Sequence, residues 1–395
     1  MKYGESKVKT TRIKIITIST IFILILMNVN LSLAYETEFD TGELRTENPP
    51  VDESFDMLIF ISPQYANNKM VKQSVNRYID AVNDDLSWNT KLILINSENN
   101  DFKKIDEIIE SYYRNYSIKA CIMVGEDLDT ALGGDTDYKE GPSTVPWHTV
   151  GGEIAYESGE HGIIGKDYRT DICVSLIYPM SEYSYYRKCI QIARVFNKFS
   201  TNRDILYTGD LLVFVASDTP IEGHILDEYG NLEYVIDPTI SDIFKSFIQP
   251  YSLYCIRGHS NPSLIDINGA IENYFDRCYN FYSKYVDFIN TPLFIGSGCY
   301  VDGWWSDYED NNHLDPSIHK LFFPHFSSRL FSNQKIRVMV LGFPFQGGYP
   351  YPVSFIENAI PDLVNGTTLA ESMIGDICMT VIIYGDPTFH FTIGN

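Results

Sequence analysis

Positive charge is scarce in this chain: 30 lysines and arginines stand against 52 aspartates and glutamates, a formal net charge of −22 at pH 7. Such a surface repels phosphate backbones and anionic lipid, which sets aside nucleic acid and acidic membranes as partners. It suits an extracellular protein, a cationic substrate or bound calcium, and it equally suits solubility alone. Long hydrophobic runs are also scarce, and the one at residues 15–27 falls short of the roughly 20 residues that span a bilayer. The seven cysteines form no paired metal-ligand spacing, and His313, His319 and His325, six residues apart in sequence, fit no zinc motif. A twelve-residue EF-hand loop is missing, as is any repeat of fixed period.

What is present begins with a targeting pattern. Lys7, Lys9, Arg12 and Lys14 precede the apolar run, and Ser32-Leu33-Ala34 has the small-x-small form of a signal-peptidase site. Residues 1–34 are therefore expected to be a cleaved export signal, with an uncleaved anchor as the alternative and no other membrane contact. Residues 35–55, acidic and carrying Pro49-Pro50, read as a linker. The rest divides at the polar stretch 200–204 into two α/β subdomains, 56–205 and 206–395. An exported chain with an odd number of cysteines suggests disulfides and one free thiol. Cys121, Cys173, Cys255 and Cys378 instead sit inside apolar runs, where cysteine behaves as a small hydrophobe.

Short apolar runs at 57–61, 92–95 and 120–124 alternate with helical patterns. Val71, Val75, Tyr78, Ile79 and Val82 share one helical face, as do Phe102, Ile105, Ile108, Ile109 and Tyr112. This is a β-α-β-α-β unit, hence a mostly parallel sheet flanked by helices. A glycine- and acid-rich segment, 125–162, leads to a strand at 172–177 and a helix carrying Tyr186, Cys189, Ile190, Ala193 and Phe196. The second half repeats the theme, with strands at 211–216, 253–256, 293–295, 336–341 and 379–384.

Two of these strands run into glycine turns that carry reactive side chains. Gly258-His259-Ser260 follows one, and Gly296-Ser297-Gly298-Cys299 ends the other. Side chains just beyond the carboxyl ends of neighbouring parallel strands share one crevice. A thiol exposed there, beside an imidazole that favours its thiolate, is equipped for acyl transfer. Read singly, Cys299 is as well explained as a structural cysteine and His259 as a turn cap. Their pairing raises the catalytic reading, because adjacent strands ending at one level would bring the two within hydrogen-bond reach.

The ordered series Val124-Gly125-Glu126-Asp127, Val145-Pro146, Asp167-Tyr168, Gly258-His259-Ser260, residues 293–299 and Tyr384-Gly385-Asp386-Pro387-Thr388 resembles the gingipain-like cysteine peptidases. That resemblance implies a caspase-type fold, with two adjacent subdomains and the active site on the second. It also implies a Cys299/His259 dyad acting on protein or peptide substrates with no cofactor needed for the chemistry. The oxyanion hole would be the backbone N–H groups of Cys299 and Ser260. The family usually has glycine at the latter position. Where such a turn needs positive φ, serine costs about 1 kcal/mol, and a non-catalytic relative that binds peptides is the competing reading.

Asp218 corresponds approximately to an acidic residue that orients the histidine in some relatives, and reads as well as a turn cap. Selection of a basic P1 side chain would need an acidic pocket, for which Glu222, Asp227 and Glu228 are in range; Trp304, beside Cys299 in sequence, is a further candidate for the pocket wall. Structural calcium, known in relatives, would draw on the hard oxygen ligands Asp127, Asp129, Asp135 and Asp137. Simple solvation is the alternative for that acidic loop.

Overall fold

The computed structural model describes residues 54–95, 102–125, 170–179, 183–201, 203, 206–207, 211–217, 230–236, 238–261, 264–266, 280–297, 326–342, 359–374 and 381–393. Among the described residues no helix is long and apolar enough to cross a membrane.

The first half opens with β1 (Met57–Ile61), buried along its whole length. Helix α1 (Lys69–Leu86) follows. Asn68 starts it by accepting hydrogen bonds from the N–H groups of Met70 and Val71 at 3.1 and 3.3 Å. Ser87 ends it in the left-handed region at φ 56, with its N–H on the Asn83 carbonyl. Its buried residues, Val71, Ser74, Val75, Tyr78, Ile79 and Val82, form one stripe at three- and four-residue spacing. Then come β2 (Thr90–Leu94), α2 (Phe102–Tyr116), β3 (Ala120–Val124), β4 (Cys173–Ile177) and α3 (Tyr185–Thr201). The face α3 buries is made of Cys189, Ile192, Ala193, Val195, Phe196 and Phe199. Tyr186, expected on that face from its spacing, is 65% exposed. The reason is local: neighbouring Tyr185 stacks on Tyr65 and donates to the Gln64 carbonyl, so the first turn of α3 is held by the short helix Pro63–Ala66 that follows β1.

The second half contributes β5 (Leu206–Tyr207), β6 (Leu211–Ser217), β7 (Gly230–Ile236), helix α4 (Ile240–Ser246), β8 (Leu253–Arg257) and three short strands, β9 (His259–Asn261), β10 (Leu264–Asp266) and β11 (Asn280–Tyr282). It closes with β12 (Leu293–Ser297), β13 (Val338–Gly342), β14 (Val381–Gly385) and β15 (Thr392–Ile393). Helix α4 begins at a capping box in which the Thr239 hydroxyl accepts from the Asp242 N–H and the Asp242 carboxylate accepts from the Thr239 N–H.

Ten strands make one sheet in the order β2-β1-β3-β4-β14-β13-β12-β8-β6-β7. Neighbours are parallel throughout except at β13 and β14, which are antiparallel. Strand β14 runs parallel to β4. The sheet therefore consists of two parallel blocks that point in opposite directions and meet at β14. It is mixed, mostly parallel and flanked by helices, an α/β architecture as expected. The carboxyl ends of β1 to β4 lie at one end of the sheet, and those of β6, β7, β8, β12 and β13 at the other. A strand covered on both faces needs an apolar residue at nearly every position, and β1, β3, β4 and β12 are buried at every residue.

The junction of the blocks is polar and fully buried. Asp386, directly after β14, is ion-paired with Arg337 at the start of β13. It also accepts from the Tyr78 hydroxyl of α1 at 2.7 Å and from the N–H and hydroxyl of Thr388. Arg203 donates to Thr388 Oγ1 at 3.0 Å and reaches Asp85 of α1 at 2.6 Å. Gly385 has φ +115, and a Cβ added there would lie 2.0 Å from the Arg337 carbonyl oxygen. The Gly385-Asp386-Pro387-Thr388 motif is thus a structural clasp, with a glycine that no other residue replaces and a carboxylate shared by three elements.

Candidate active site

Three adjacent strands of the second block end in register. Ser217 of β6 pairs with Arg257 of β8, and Arg257 pairs with Ser297 of β12. Ser217 and Ser297 are buried and Arg257 is half-buried. The Gly258 N–H then donates to the Ser297 carbonyl at 3.0 Å, carrying the β8–β12 ladder one residue past the last paired side chains. Asp218 follows the first residue of this row, His259 stands two residues after the second, and Cys299 two after the third. The three strands run in one direction and end at the same end of the same block.

The segment after Gly258 differs from a simple turn. His259 opens β9, which pairs with β10, which pairs in turn with β11 in a separate three-stranded antiparallel sheet. Ser260 is the middle residue of β9, opposite Ile265. Extended backbone is open to every L-residue, so serine carries no left-handed penalty at this position. Asp266 stands directly opposite His259 in the ladder, and Asn280 opposite Asp266.

Asp218, Glu222, Asp227, Glu228, Cys299 and Trp304 lie outside the described residues, as do Asp127, Asp129, Asp135 and Asp137. The strand that leads to the last four is β3, whose carboxyl end is at the opposite end of the sheet from those of β8 and β12. Among the described residues, no group of three or more histidine, cysteine, aspartate or glutamate side chains could hold a metal ion.

The described cysteines are not rival nucleophiles. Cys121, Cys173, Cys189 and Cys255 are buried thiols outside any disulfide. Burial pushes the Cys255 thiol up to about 12, even with the Arg257 charge pulling it down. Cys121 is driven higher still by burial alone. A thiol that does not ionise near neutral pH has neither the charge nor the access that attack on a carbonyl needs. Cys121, Cys173 and Cys255 lie in buried apolar strands, the hydrophobic role expected of them, and Cys189 lies on the buried face of α3; Cys378 lies outside the described residues.

No protein-family model and no curated protein matches the chain. Among solved structures, it is similar to the Arg-specific cysteine proteinase gingipain R (RgpB), with a TM-score of 0.53 and 14% identity over 90% of this chain and 80% of the other. It is likewise similar to the complex of the pro- and mature domains of Porphyromonas gingivalis RgpB, with a TM-score of 0.54 and 13% identity over 85% of this chain and 79% of the other. At this identity the likeness concerns the fold alone: the chain shares the mixed, mostly parallel α/β architecture of those two structures.

Proposed function

We propose that the chain is an exported cysteine endopeptidase whose nucleophile is Cys299 and whose acid–base group is His259. In the proposed reaction the Cys299 sulfur bonds to the scissile carbonyl carbon, and His259 gives a proton to the amine as the C–N bond breaks. Water then cleaves the thioester, regenerating the thiol and releasing the acid product. The observation that carries this reading is the Ser217–Arg257–Ser297 row, from which the two chemical residues depart by equal numbers of residues on hydrogen-bonded neighbouring strands. Two parallel strands lie about 4.8 Å apart, and in the proposed site the two side chains leave neighbouring strand ends and meet beyond them.

The backbone of β9 also favours an oxyanion role for Ser260. Strand β9 is an outer strand of its three-stranded sheet, and the proposed hole takes the Ser260 N–H from the side of β9 that faces away from β10. The Cys299 N–H is the second donor of the proposed hole.

Substrates would be proteins or peptides. A basic P1 residue, held by Glu222, Asp227 or Glu228 against a wall that includes Trp304, accords with the specificity stated for gingipain R. Calcium at Asp127, Asp129, Asp135 and Asp137 would be structural. The decisive experiment incubates wild type and Cys299→Ala with a denatured protein and maps the cuts. Cuts after lysine or arginine by wild type alone, with iodoacetamide labelling of Cys299 that is lost in His259→Ala, are expected. Equal cutting by both proteins, or unselective labelling, would refute the assignment. Chelation is expected to lower Tm if the calcium loop is occupied.

A further inference from the structure

We propose that the chain forms a two-fold dimer through an aromatic face at the amino ends of β8 and β12, occupied by a second copy of itself. Phe244 of α4, Ile248 just after it and Phe288 of the 3₁₀ helix Ser283–Phe288 are 52%, 77% and 63% exposed. The rings hold one another in place. Phe244 meets Phe247 edge-on at 5.7 Å, Phe247 stacks on Phe288 at 6.0 Å, and Tyr285 contacts Phe244 and Phe247 at 6.1 and 6.0 Å. Tyr285 in turn packs on buried Phe281 at 5.7 Å, and the Pro250–Asn290 bridge ties the two segments together. A surface already ordered in this way pays little further entropy on binding. Both segments lead into the starts of their strands, so the face lies at the opposite end of the block from the Ser217–Arg257–Ser297 row.

Area and charge together select a second copy. The three exposed side chains offer roughly 350 Å² of apolar surface, the size at which an exposed patch marks an interaction site. A stable dimer buries about 800 Å² per partner, as an apolar core inside a polar rim. Two chains of net charge −22 repel one another, and they approach most easily where that charge is locally absent. Segments 238–252, 280–292 and 326–337 carry Lys245, Lys284, Arg329, Lys335 and Arg337 against Asp242 and Asp287 alone. Asp287 is paired with Arg329 at 2.6 Å, Asp242 more loosely with Lys245 at 3.7 Å, and buried Arg337 with Asp386. Among the described residues no carboxylate pairs with Lys284, whose ammonium lies 5.1 Å from the centre of the Tyr282 ring. A two-fold contact uses the same patch on both chains. It sets Lys284 of one protomer against Asp242 of the partner subunit, and the reverse, around the shared rings.

Sedimentation velocity of the full chain between about 1 and 100 μM tests this, the range in which a dimer of ordinary affinity fills. A species of twice the monomer mass is expected to grow with concentration. Phe288→Glu combined with Ile248→Glu puts charge into the apolar centre and should leave only monomer. Lys284→Glu should weaken the dimer about tenfold or more, and Lys284→Arg should keep it. Tyr186→Glu, on α3 and outside the face, should leave the dimer intact. Hydrogen exchange of the wild type at the two ends of the concentration range supplies a readout without variants: amides 244–248 and 284–288 should be slower at the high end. Monomer throughout, or equal exchange at both ends, overturns the proposal. So does a dimer that survives the Phe288/Ile248 double variant or is lost in Tyr186→Glu. Assemblies that grow past two copies would mean a contact that does not close on itself, and a monomer that binds polyglutamate would give the face to an acidic segment instead; either result also removes the two-fold dimer.

Discussion

Asp386 pairs its charge with Arg337 where the two blocks of the sheet meet, with side chains 0% and 1% exposed. Removing one partner leaves the other charge unneutralised in the interior, which costs about 3–5 kcal/mol. Asp386→Asn keeps the shape and removes the charge, so its urea midpoint should fall by the equivalent of that range. Adding Arg337→Met should recover part of the loss. A single variant within about 1 kcal/mol of wild type would mean that water reaches the pair.

Gly385 supports the same junction through its backbone. At φ +115 an L-side chain is strained, and its Cβ would meet the Arg337 carbonyl at 2.0 Å. Gly385→Ala is expected to destabilise by at least about 2 kcal/mol. Gly366, in a turn at φ 84, is the comparison: alanine there should cost about 1 kcal/mol. Chemical denaturation of the two variants side by side checks the ranking.

Lys198 gives the junction a pH dependence. Its ammonium is buried, donating to the carbonyls of Leu330 at 2.6 Å and Asn333 at 3.1 Å. Burial, with the neighbouring Arg337 charge, lowers its pKa to about 7. Between about pH 7 and the unfolded lysine value near 10.4, the unfolded chain holds a proton that the folded chain has released. Stability contributed by this group therefore rises with pH across that window, by at most about 1.4 kcal/mol per pH unit, and is lost as pH falls toward 7. The difference between wild type and Lys198→Met, read from urea midpoints at pH 7, 8 and 9, should change with that sign. A constant difference would show that the amine is solvated.

Ser260 tests the oxyanion hole by its backbone. Proline removes the N–H, and on an open strand edge it is tolerated structurally. Ser260→Pro should lower kcat about 10²- to 10³-fold, with Tm little changed. Ser260→Gly, which keeps the N–H, should remain active. Equal activity in the proline variant would place the donor elsewhere.

Much of the sheet was legible because a doubly covered strand must be apolar at nearly every position. The runs containing Ile59, Ile122, Val174, Ile295 and Val340 are all buried strands. Strand β7 was missed because it is an edge, with polar Asn231 and Glu233 that interrupt the apolar run. The short strands β9 to β11 carry too few residues to show a period. The exposed Tyr186 misled because helical spacing marks a face without saying how far along the helix the partner surface extends.

The candidate site shows the same division. Glycine after an apolar run marks a strand end, which is why His259 and Cys299 could be singled out from local pattern. That Arg257 and Ser297 are partners, and that Asp266 faces His259, depends on which strands pair and in what register.

The amino-acid sequence by itself determined where the doubly covered strands and the main amphipathic helices form, and which residue types follow the strand ends, since these follow from backbone sterics and burial within a few neighbouring residues. Only the tertiary structure decided that β14 runs against β13, which puts the carboxyl ends of β3 and of β8 and β12 at opposite ends of one sheet. It also decided that Asp386, Arg337, Tyr78 and Arg203 converge on one buried cluster. Those outcomes rest on contacts between residues far apart in the chain, whose hydrogen bonds and charge pairs form only once the whole sheet has assembled.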